Sequence, residues 1–394
     1  MALRTALDAQ AAARMLRVTR ATLYAYVSRG LIGTEPDPVD PRRRLYRTGD
    51  IERLLAGKER SRRPRAIASG ALDWGTGALP SSITLIERGR IYYRGQDAVT
   101  LAATATLEDV ARLLWDCGPG DPFAHPLEAS PMPLAAFGGA APLDRCRAML
   151  ALLGSGARPL WNRERPRLGG DAAALLRAIA AMVLGAPPDA QPIHRQIAAA
   201  WRLDAEAADL VRTTLVLLAD HELNPSTFAT RVVAATGASL SASLSAGLAA
   251  LTGPLHGGAT ALAEALLAAA RETNAPASLI EARLSRGETI PAFGHPLYPE
   301  GDPRAAFLLA RLPRDAARDA LVDAVADIAG LSPNIDFALA ALIAALNLPR
   351  DSGIVLFAIA RSVGWIAHAL EQSAARRLIR PRADYVGIRP PSPR

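Results

Sequence analysis

The sequence predicts a mainly α-helical protein that carries a small additional module in its N-terminal part. Half of the 394 residues are hydrophobic, only 5% are aromatic, and alanine and leucine abound, a balance that favours helices packed on helices. From about residue 72 onwards, apolar residues recur at helical spacing between short Gly- and Pro-containing segments. Positive charge is concentrated before this region, which sets the N-terminal segment apart.

The uneven charge indicates what the N-terminal segment could bind. Residues 1–66 contain 15 Lys+Arg and 7 Asp+Glu, a net charge of +8, whereas the rest of the chain holds 30 basic and 31 acidic residues. This distribution is expected of a polyanion-binding module joined to a nearly neutral domain. An arginine-rich surface that meets only solvent is the simpler alternative.

The N-terminal segment has the pattern of a small helical module. Residues 7–30 predict two short helices capped by Asp8 and Thr19, residues 34–46 predict a hairpin or wing, and Thr48 is placed to cap a third helix. The string "AARMLRVTRATLYAYVSRGLI", followed by "RRRLYRTGDIERLL", resembles the helix-turn-helix module of MerR-like and excisionase-like DNA-binding proteins. We expect a winged helix-turn-helix module over residues 1–57 and a basic linker over 58–71.

The resemblance implies DNA as a partner of this module. The second helix would offer Arg20, Thr22 and Tyr24 to a groove, and the basic run of the wing would meet phosphates through Arg42, Arg43 and Arg44. The alternative is that the module serves contacts between subunits and no longer reads DNA.

The main region predicts helices almost throughout, from Leu101–Trp115 to Val355–Leu370. The exception is Ser82–Tyr93, which predicts a small hairpin that turns at Arg88–Gly89. Polar residues interrupt the apolar stretches well short of the ~18 residues of a membrane span, so we expect a soluble protein with no membrane partner.

The composition excludes several classes of site. Cys117 and Cys146 fit neither a disulfide framework nor a zinc spacing, and no signal peptide is recognisable, so a reducing cytoplasm is the expected location. The single lysine, Lys58, precedes the main region and excludes a pyridoxal-phosphate Schiff base or a P-loop there. No histidine pair has the spacing of a helical zinc site, so no metal is expected, and no G-x-S-x-G elbow is present.

Three of the six histidines lie in loop sequences that are dense in Gly, Pro, Ser or Asn. His221 begins "HELNPST", His256 lies in "GPLHGGA" and His295 in "PAFGHPLY". Each could be an ordinary loop histidine, but three such loops in one region indicate a site that a ligand approaches closely.

These loops belong to longer motifs that resemble citrate synthases. The motifs are "HELNPSTFATRVVAATGASLSASLSAGLAALTGPLHGGA", "FGHPLYPEGDPRA", "SPNIDF" and "ARSVGWIAHALEQ", followed by "LIRPRADYVG". An earlier stretch, "IERGRIYYRGQD" and then "TLEDVARLLW", resembles the family's N-terminal region. The resemblance runs in the family's order from about residue 81 to 387.

The resemblance implies three catalytic residues. Asp336 in "PNIDF" matches the base that removes a proton from the acyl-CoA, His256 matches the histidine that hydrogen-bonds the enolate or enol, and His295 matches the one that polarises the ketone of oxaloacetate. The division agrees with the chemistry, since a thioester α-carbon is a weak acid that needs a base and an oxyanion donor together.

The resemblance also implies how the substrate dianion is held. His221, Arg304 and Arg361 match substrate-binding residues, and Arg380 in "LIRPR" matches an arginine contributed by the neighbouring subunit. Two departures concern the loop around His295. Pro299–Glu300 stand where many members carry basic residues near the CoA, and Ala292 stands where glycine is common.

The resemblance implies a citrate-synthase fold with a large domain at 72–256 and 346–394, a small domain at 257–345, and a homodimer with shared sites. We expect condensation of acetyl-CoA with oxaloacetate to citrate and free CoA, with acyl-CoA as co-substrate and no cofactor. A 2-methylcitrate synthase that uses propionyl-CoA, or a DNA-binding regulator with a metabolite-sensing domain, are the alternatives.

Overall fold

The structure is a computed structural model of the chain. It describes residues 6–16, 18–28, 31–37, 40, 44–60, 79–124, 134–156, 159–160, 165–273, 275–381, 383 and 386–388.

The N-terminal module combines short helices with a small antiparallel sheet. Its helices are α1 (Ala9–Leu16), α2 (Arg20–Ser28) and α3 (Thr48–Arg60), and its strands are β1 (Ala6–Leu7), β2 (Thr34–Pro36) and β3 (Arg44–Arg47), in the order β1-β3-β2. These elements share a hydrophobic core of their own, made of Ala12, Ala13, Leu16, Leu23, Ile32, Tyr46 and Ile51.

Two of the three helix caps predicted for the module are confirmed. The Asp8 carboxylate accepts the Ala11 N–H at 2.7 Å, and the Thr19 hydroxyl accepts the Thr22 N–H at 3.2 Å. α3 continues to Arg60, which takes the helix into the predicted linker. Residues 61–78, which hold the rest of that linker, are outside the described residues.

The main region opens with the predicted hairpin. β4 (Thr84–Glu87) pairs antiparallel with β5 (Arg90–Tyr93), which in turn pairs with β6 (Gln96–Asp97). The turn is Arg88–Gly89, and both residues have positive φ, 51° and 72°. Positive φ at both central residues is what a tight hairpin turn between twisted strands requires, which explains why glycine stands there.

The rest of the described main region consists of α-helices joined by loops and short 3-10 turns. The helices are α4 (Ala98–Thr104), α5 (Leu107–Trp115), α6 (Pro142–Gly156), α7 (Arg165–Leu184), α8 (Ile193–Trp201), α9 (Ala205–Leu218), α10 (Pro225–Ala235), α11 (Leu240–Leu251), α12 (Ala259–Glu272), α13 (Pro276–Ser285), α14 (Pro303–Arg311), α15 (Ala316–Ala329), α16 (Ile335–Leu346) and α17 (Ser352–Ala375).

One helix prediction was wrong. Leu101–Trp115 was expected to be continuous, but α4 ends at Thr104 and α5 begins at Leu107. Thr106 accepts the Asp109 N–H, and the Asp109 carboxylate in turn accepts the Thr106 N–H at 2.9 Å. This capping box supplies the hydrogen bonds that starting a new helix requires, and apolar periodicity alone does not reveal it.

The long helix α17 forms the centre of the main region. It packs against α5, α7, α9, α10, α11, α12 and α16. Among the described residues it is the helix whose length and composition would suffice to cross a membrane, although Arg361 interrupts its apolar sequence. However, 83% of its most apolar window is buried inside the fold, as in a core helix.

The segment predicted as the small domain contains α12 to α16. α12 packs on α15 and α16, α13 on α15, and α14 on α16, while α12 and α16 also contact α17. The loops that carry the candidate site residues join these helices to each other and to the α9–α11 region.

Candidate active site

The loop that carries His256 follows α11 and is held in a tight turn. The His256 N–H donates to the Gly253 carbonyl at 2.9 Å. A Cβ at Gly257 would lie 2.0 Å from the Leu251 carbonyl oxygen, and one at Gly258 would lie 2.7 Å from the Pro254 oxygen. Only glycine allows these close approaches, so the "HGG" sequence fixes where the histidine is placed.

His256 is half-buried and neutral. Its Nε2 lies 2.8 Å from the Ser226 hydroxyl, and its ring meets Phe357 edge-on with centroids 6.3 Å apart. Burial, with a further contribution from the positive charge of Arg361, lowers the pKa of His256 to about 4. At neutral pH the ring therefore carries one proton and can act as a hydrogen-bond donor without being charged.

Ser226 determines which nitrogen of His256 can carry that proton. Its oxygen accepts the Trp365 indole N–H at 3.2 Å and lies 2.7 Å from the Asn224 side-chain oxygen. Its single proton has two acceptors in reach, Asn224 and His256 Nε2. When the Ser226 hydroxyl donates its proton to His256 Nε2, the proton of the His256 ring must be on Nδ1, the nitrogen that does not contact Ser226.

Asp336 lies in the first turn of α16 and is partly buried. Its Oδ1 accepts the Thr260 hydroxyl at 2.7 Å, and Thr260 belongs to α12, just beyond the His256 loop. Among the described residues, Oδ2 accepts no hydrogen bond. Burial raises the pKa of Asp336 above its ordinary value despite Thr260 and the nearby arginines. A desolvated carboxylate with one unoccupied oxygen is suited to accept a proton.

The loop of His295 fixes the tautomer of this histidine. Pro296 has no N–H, and the Leu297 N–H donates to His295 Nδ1 at 3.1 Å. Because Nδ1 accepts, Nε2 is the nitrogen that carries a proton, and it can donate this proton to a ligand in a hydrogen bond.

His221 and His295 belong to one cluster of rings. Their centroids are 5.1 Å apart, and Tyr298 contacts both rings, donating or accepting a hydrogen bond at 3.1 Å with His221 Nε2. Burial, the positive charge of Arg304 and the proximity of His295 hold the pKa of His221 well below its ordinary value. His221 is therefore neutral.

Arg304 is buried beside this cluster, with its guanidinium 5.2 Å from the centre of the Tyr298 ring. Nε and Nη2 donate to the two oxygens of Asp302 at 3.0 and 2.7 Å. Although burial acts to lower it, the pKa of Arg304 is raised by Asp302. Among the described residues, no protein group accepts from Nη1.

Arg361 is the second buried arginine of the site. It projects from α17, donates from Nε to the Leu218 carbonyl at 2.9 Å, and lies 4.7 Å from the centre of the Phe357 ring. Within the part of the chain that the structure describes, neither Nη has an acceptor. A buried guanidinium with unused N–H groups is suited to bind a carboxylate.

Backbone hydrogen bonds join the loops of the site. The Gly294 N–H donates to Ser332, the Asn334 N–H donates to Ala292, and the Asn334 side chain donates to Gly294. The Asp302 carboxylate that holds Arg304 also accepts the Ile335 N–H at 3.1 Å. The His295 loop, the Arg304 helix and the Asp336 helix are thereby fixed relative to one another.

Six of the seven enzymatic site residues predicted from the sequence are linked by these contacts. They are His221, His256, His295, Arg304, Asp336 and Arg361. Arg380 is exposed in the non-helical segment after α17 and takes no part in the contacts above.

The residues predicted to contact DNA are only partly described. Arg20 is exposed at the start of α2, whereas Thr22 and Tyr24 are half-buried, and Tyr24 packs against the module's core. Arg44 is partly buried in β3. Arg42 and Arg43 lie outside the described residues.

Sequence reasoning missed the residues that hold the predicted ones. Ser226, Thr260, Tyr298 and Asp302 each contact a predicted site residue directly, and each lies within or just beyond a quoted motif. Their position inside "NPST", "GGAT", "HPLY" and "GDPR" was an available signal. Among the described residues, no group of three or more His, Cys, Asp or Glu side chains could hold a metal ion.

A family model described as the citrate synthase C-terminal domain matches residues 71–382. The chain belongs to the citrate synthase family.

Relatives of this citrate synthase family member carry two kinds of name. The putative citrate synthase 2 of Mycobacterium tuberculosis is 32% identical over 77% of this chain and 89% of its own length. Citrate synthase 2 of Bacillus subtilis is 39% identical over 44% of this chain, and the chain spans about half (49%) of that protein. The 2-methylcitrate synthase of Shewanella oneidensis is 34% identical over 45% of this chain and 50% of its own length.

Solved structures share its fold. Citrate synthase from Pyrobaculum aerophilum superposes with a TM-score of 0.68 at 27% identity, covering 80% of this chain and 91% of that one. Citrate synthase from Thermotoga maritima gives a TM-score of 0.64 at 27% identity, covering 80% and 94%. The main region thus has the mainly α citrate-synthase fold expected from its motifs.

Proposed function

We propose that this protein condenses an acyl-CoA with oxaloacetate, with acetyl-CoA as the acyl donor and citrate and free CoA as products. One observation carries the proposal. Two buried arginines, Arg304 and Arg361, have N–H groups without a protein acceptor among the described residues, in a site whose His221 and His256 are neutral. A small dicarboxylate would satisfy these groups, His295 would polarise its ketone, and His256 would polarise a thioester.

The first step is removal of a proton from the acyl α-carbon by Asp336. Its Oδ2 takes the proton, and the C–H electrons move into the thioester to form an enolate or enol. His256 donates from Nδ1 to the thioester oxygen, in the state in which the Ser226 hydroxyl has rotated its proton from Asn224 to His256 Nε2. A base and an oxyanion donor acting together lower the free energy needed to remove a proton from this weakly acidic carbon.

The second step forms the carbon–carbon bond. The α-carbon attacks the ketone carbon of oxaloacetate, and the oxygen becomes an alkoxide that His295 Nε2 stabilises by donating a hydrogen bond. The proton that Asp336 removed returns through solvent to this oxygen, which gives the hydroxyl of the product and leaves Asp336 and His295 as they began. The carboxylates of oxaloacetate are held by Arg304 and Arg361, next to His221. Water then cleaves the thioester of the condensed product, giving a carboxylate and the thiol of CoA.

The test is release of free thiol from a panel of acyl-CoAs, with and without oxaloacetate. We expect release that requires oxaloacetate and is faster with acetyl-CoA than with propionyl-CoA. One methylene discriminates by only ~1–3 kcal/mol, so kcat/KM must be compared for both donors. A higher value with propionyl-CoA would identify a 2-methylcitrate synthase, and absence of release with every donor would overturn the enzymatic proposal.

The working form is a homodimer with shared sites, whose small domain, at 257–345, closes over the substrates and excludes water from the enolate. Two features support the dimer. α11 has a partly exposed face of small residues, which a second helix can approach closely: Ala242, Ser245, Ala246, Ala249 and Ala250. Beyond α17, Val386 is 93% exposed, and Arg380 is also exposed, so this segment is available to reach a partner's site.

A second candidate function is DNA binding by the N-terminal module. It is supported by the module's own hydrophobic core, the net charge of +8 over residues 1–66, and a groove of about 920 Å³ between α1 and α2. Arg14 and Arg20 line this groove, with Thr19 and Thr22 beside them. Arg20 would reach bases or phosphates, and the basic run that includes Arg44 would meet phosphates.

A regulator that only senses metabolites would use the N-terminal module to bind DNA and the main region to bind the metabolite. Such a protein needs the arginines and histidines that bind the dicarboxylate, but it has no use for a desolvated base. The raised pKa and unoccupied oxygen of Asp336 therefore favour an enzyme.

A further inference from the structure

A buried polar network lies behind the site. The side chains of its central pair, Asp220 and His368, make no hydrogen bond to a predicted site residue. Asp220 and His368 are fully buried, and Asp220 Oδ2 lies 3.3 Å from His368 Nε2. The same oxygen accepts the Thr84 hydroxyl at 2.6 Å. Buried charges are costly unless they are paired, so the pair needs an explanation that the chemistry of the proposed reaction does not supply.

The hydrogen-bonding role of each His368 nitrogen follows from its second neighbour. His368 Nδ1 lies 3.4 Å from Nη1 of the buried Arg231, and a guanidinium can only donate. Nδ1 therefore accepts, and Nε2 carries the proton that is donated to Asp220. Arg231 is itself fixed by Glu371 at 2.8 Å and Gln372 at 3.0 Å.

Three hydrogen bonds align the consecutive residues 218–220 along α17. Arg361 donates to the carbonyl of Leu218, the Gly364 N–H donates to the carbonyl of Ala219 at 3.1 Å, and His368 donates to the side chain of Asp220. Positions 361, 364 and 368 share one face of a helix. His221 follows Asp220 in the chain. The three contacts therefore fix the position of His221 relative to Arg361.

Close packing leaves this register little freedom. A Cβ at Gly364 would lie 2.2 Å from Asp220 Oδ1 and 2.6 Å from the Ala219 carbonyl oxygen, so only glycine lets the segment lie against the helix. Glu222, on the other side of His221, has a strained φ of 49° and accepts the Ile86 N–H at 3.0 Å. Although burial acts to raise it, the pKa of Asp220 is lowered by His368 and Arg361.

We propose that the buried Asp220–His368 pair, held by Arg231 and Thr84, is a positioning device for oxaloacetate: it fixes the spacing between His221 and Arg361. Neither Asp220 nor His368 touches the reacting atoms. The inference rests on the proposed function for the identity of the ligand. It predicts that damage to the pair weakens oxaloacetate binding selectively, because His221 and Arg361 contact that substrate and not the acyl-CoA.

Two substitutions of His368 separate positioning from mere stability. His368→Leu removes both the donor to Asp220 and the acceptor for Arg231, whereas His368→Gln can supply an amide N–H to Asp220 and an amide oxygen to Arg231. We expect the KM for oxaloacetate to rise ~10-fold or more in His368→Leu, with the KM for acyl-CoA within about twofold of wild type. His368→Gln should restore most of the oxaloacetate affinity.

The matched control is Glu108→Leu. Glu108 is also buried and accepts a backbone N–H, that of Ile193 at 2.7 Å, but it has no contact with the site. It should lower the thermal unfolding temperature and leave both KM values unchanged. If His368→Leu does not yield folded protein, Thr84→Val decides: loss of the hydroxyl should raise the oxaloacetate KM about threefold or more.

Calorimetric titration of full-length wild type and variants with oxaloacetate alone separates the two proposals. If wild type does not bind oxaloacetate, the proposed function falls and the inference falls with it. If wild type binds and turns over, but folded His368→Leu or Thr84→Val binds oxaloacetate as tightly as wild type, the positioning role alone is overturned. The same holds if His368→Gln is as impaired as His368→Leu.

Discussion

Asp336 and His256 show how burial prepares single residues for chemistry. Removal from water favours the neutral form of each, which raises the pKa of Asp336 and lowers that of His256 to about 4. The carboxylate thus becomes a stronger base, and the imidazole becomes an uncharged donor. The raised pKa of Asp336 makes the folded protein less stable at neutral pH, whereas the lowered pKa of His256 makes it less stable only as the pH falls below the ordinary histidine value of 6.5.

Asp336→Asn should therefore abolish turnover and stabilise the fold. Loss of a positioned base costs ~10²–10⁴-fold or more in rate, while the asparagine oxygen can still accept from Thr260. The raised folded-state pKa means that wild type loses stability as pH rises from the ordinary carboxyl value of 3.8 through the folded value. Asparagine has no such loss, so the variant's advantage should be present at pH 7 and vanish below pH 3.8.

Steady-state thiol release and thermal unfolding between acidic and neutral pH measure both effects. Near-normal turnover in the variant would exclude Asp336 as the base. A variant that is less stable than wild type at pH 7 would contradict the desolvation argument.

Ala292 is strained in the loop that precedes His295. Its φ is 63°, in the left-handed region that an L-residue enters at a cost of ~1–2 kcal/mol, and glycine is common here in the proteins that the motif resembles. Ala292→Gly should raise the free energy of unfolding by about 0.5–1 kcal/mol, since part of the gain is lost to glycine's greater unfolded-state entropy.

Denaturant unfolding tests the strain, with Ala261→Gly as control. Ala261 is exposed in the helix α12, where glycine should destabilise by ~1 kcal/mol. Equal destabilisation by both substitutions would show that the backbone at Ala292 is not strained.

At the scale of elements, sequence reasoning gave most helices and the hairpin of β4 and β5, because apolar periodicity and the Arg88–Gly89 turn are local signals. It failed where a polar contact overrides periodicity, as at the capping box of Thr106. The site residues could be taken from motif resemblance, but Tyr298 and Asp302 were missed. Their position inside the motifs was an available signal, but their contacts with Arg304 are seen only in the folded structure.

The loop between α11 and α12 gives a prediction at this scale. Gly257→Ala places a Cβ 2.0 Å from a backbone oxygen, so the loop must shift and carry His256 away from Ser226. Turnover should fall ~100-fold, as expected when a catalytic group is misplaced by about 1 Å, with oxaloacetate binding largely retained. Gly139→Ala is the control, because a Cβ there meets nothing within 4 Å; full activity of Gly257→Ala would contradict the argument.

At the scale of the whole molecule, the proposed dimer makes the sites depend on two chains. Arg380→Ala and Asp336→Asn should each be inactive alone. Mixed and allowed to exchange, they should regain up to about a quarter of wild-type activity, because a hybrid dimer contains one intact site out of two and hybrids form about half of the dimers. No recovery, with exchange demonstrated by mass spectrometry, would show that Arg380 does not act across an interface.

The N-terminal module gives the last prediction. Removal of residues 1–66 should leave turnover largely intact, because the contacts that hold the site arise from residues beyond 79. If the module binds DNA, the full-length protein should shift duplex DNA with a steep salt dependence that the truncated protein lacks. Arg44→Ala should reduce the salt slope, and Arg20→Ala should alter sequence preference. Turnover lost in a folded, truncated protein would place the functional boundary elsewhere.

The central position of α17 also affects how the chain is made. Many of the preceding helices pack against it, including α5, α10 and α11, yet the ribosome synthesises it after all of them. At about 5–20 residues per second, the nascent chain displays the apolar surfaces meant for α17 for many seconds before residues 352–375 leave the exit tunnel. Folding of the main region is therefore post-translational in timing, and the unfinished chain is a natural client for chaperones and a target for proteases.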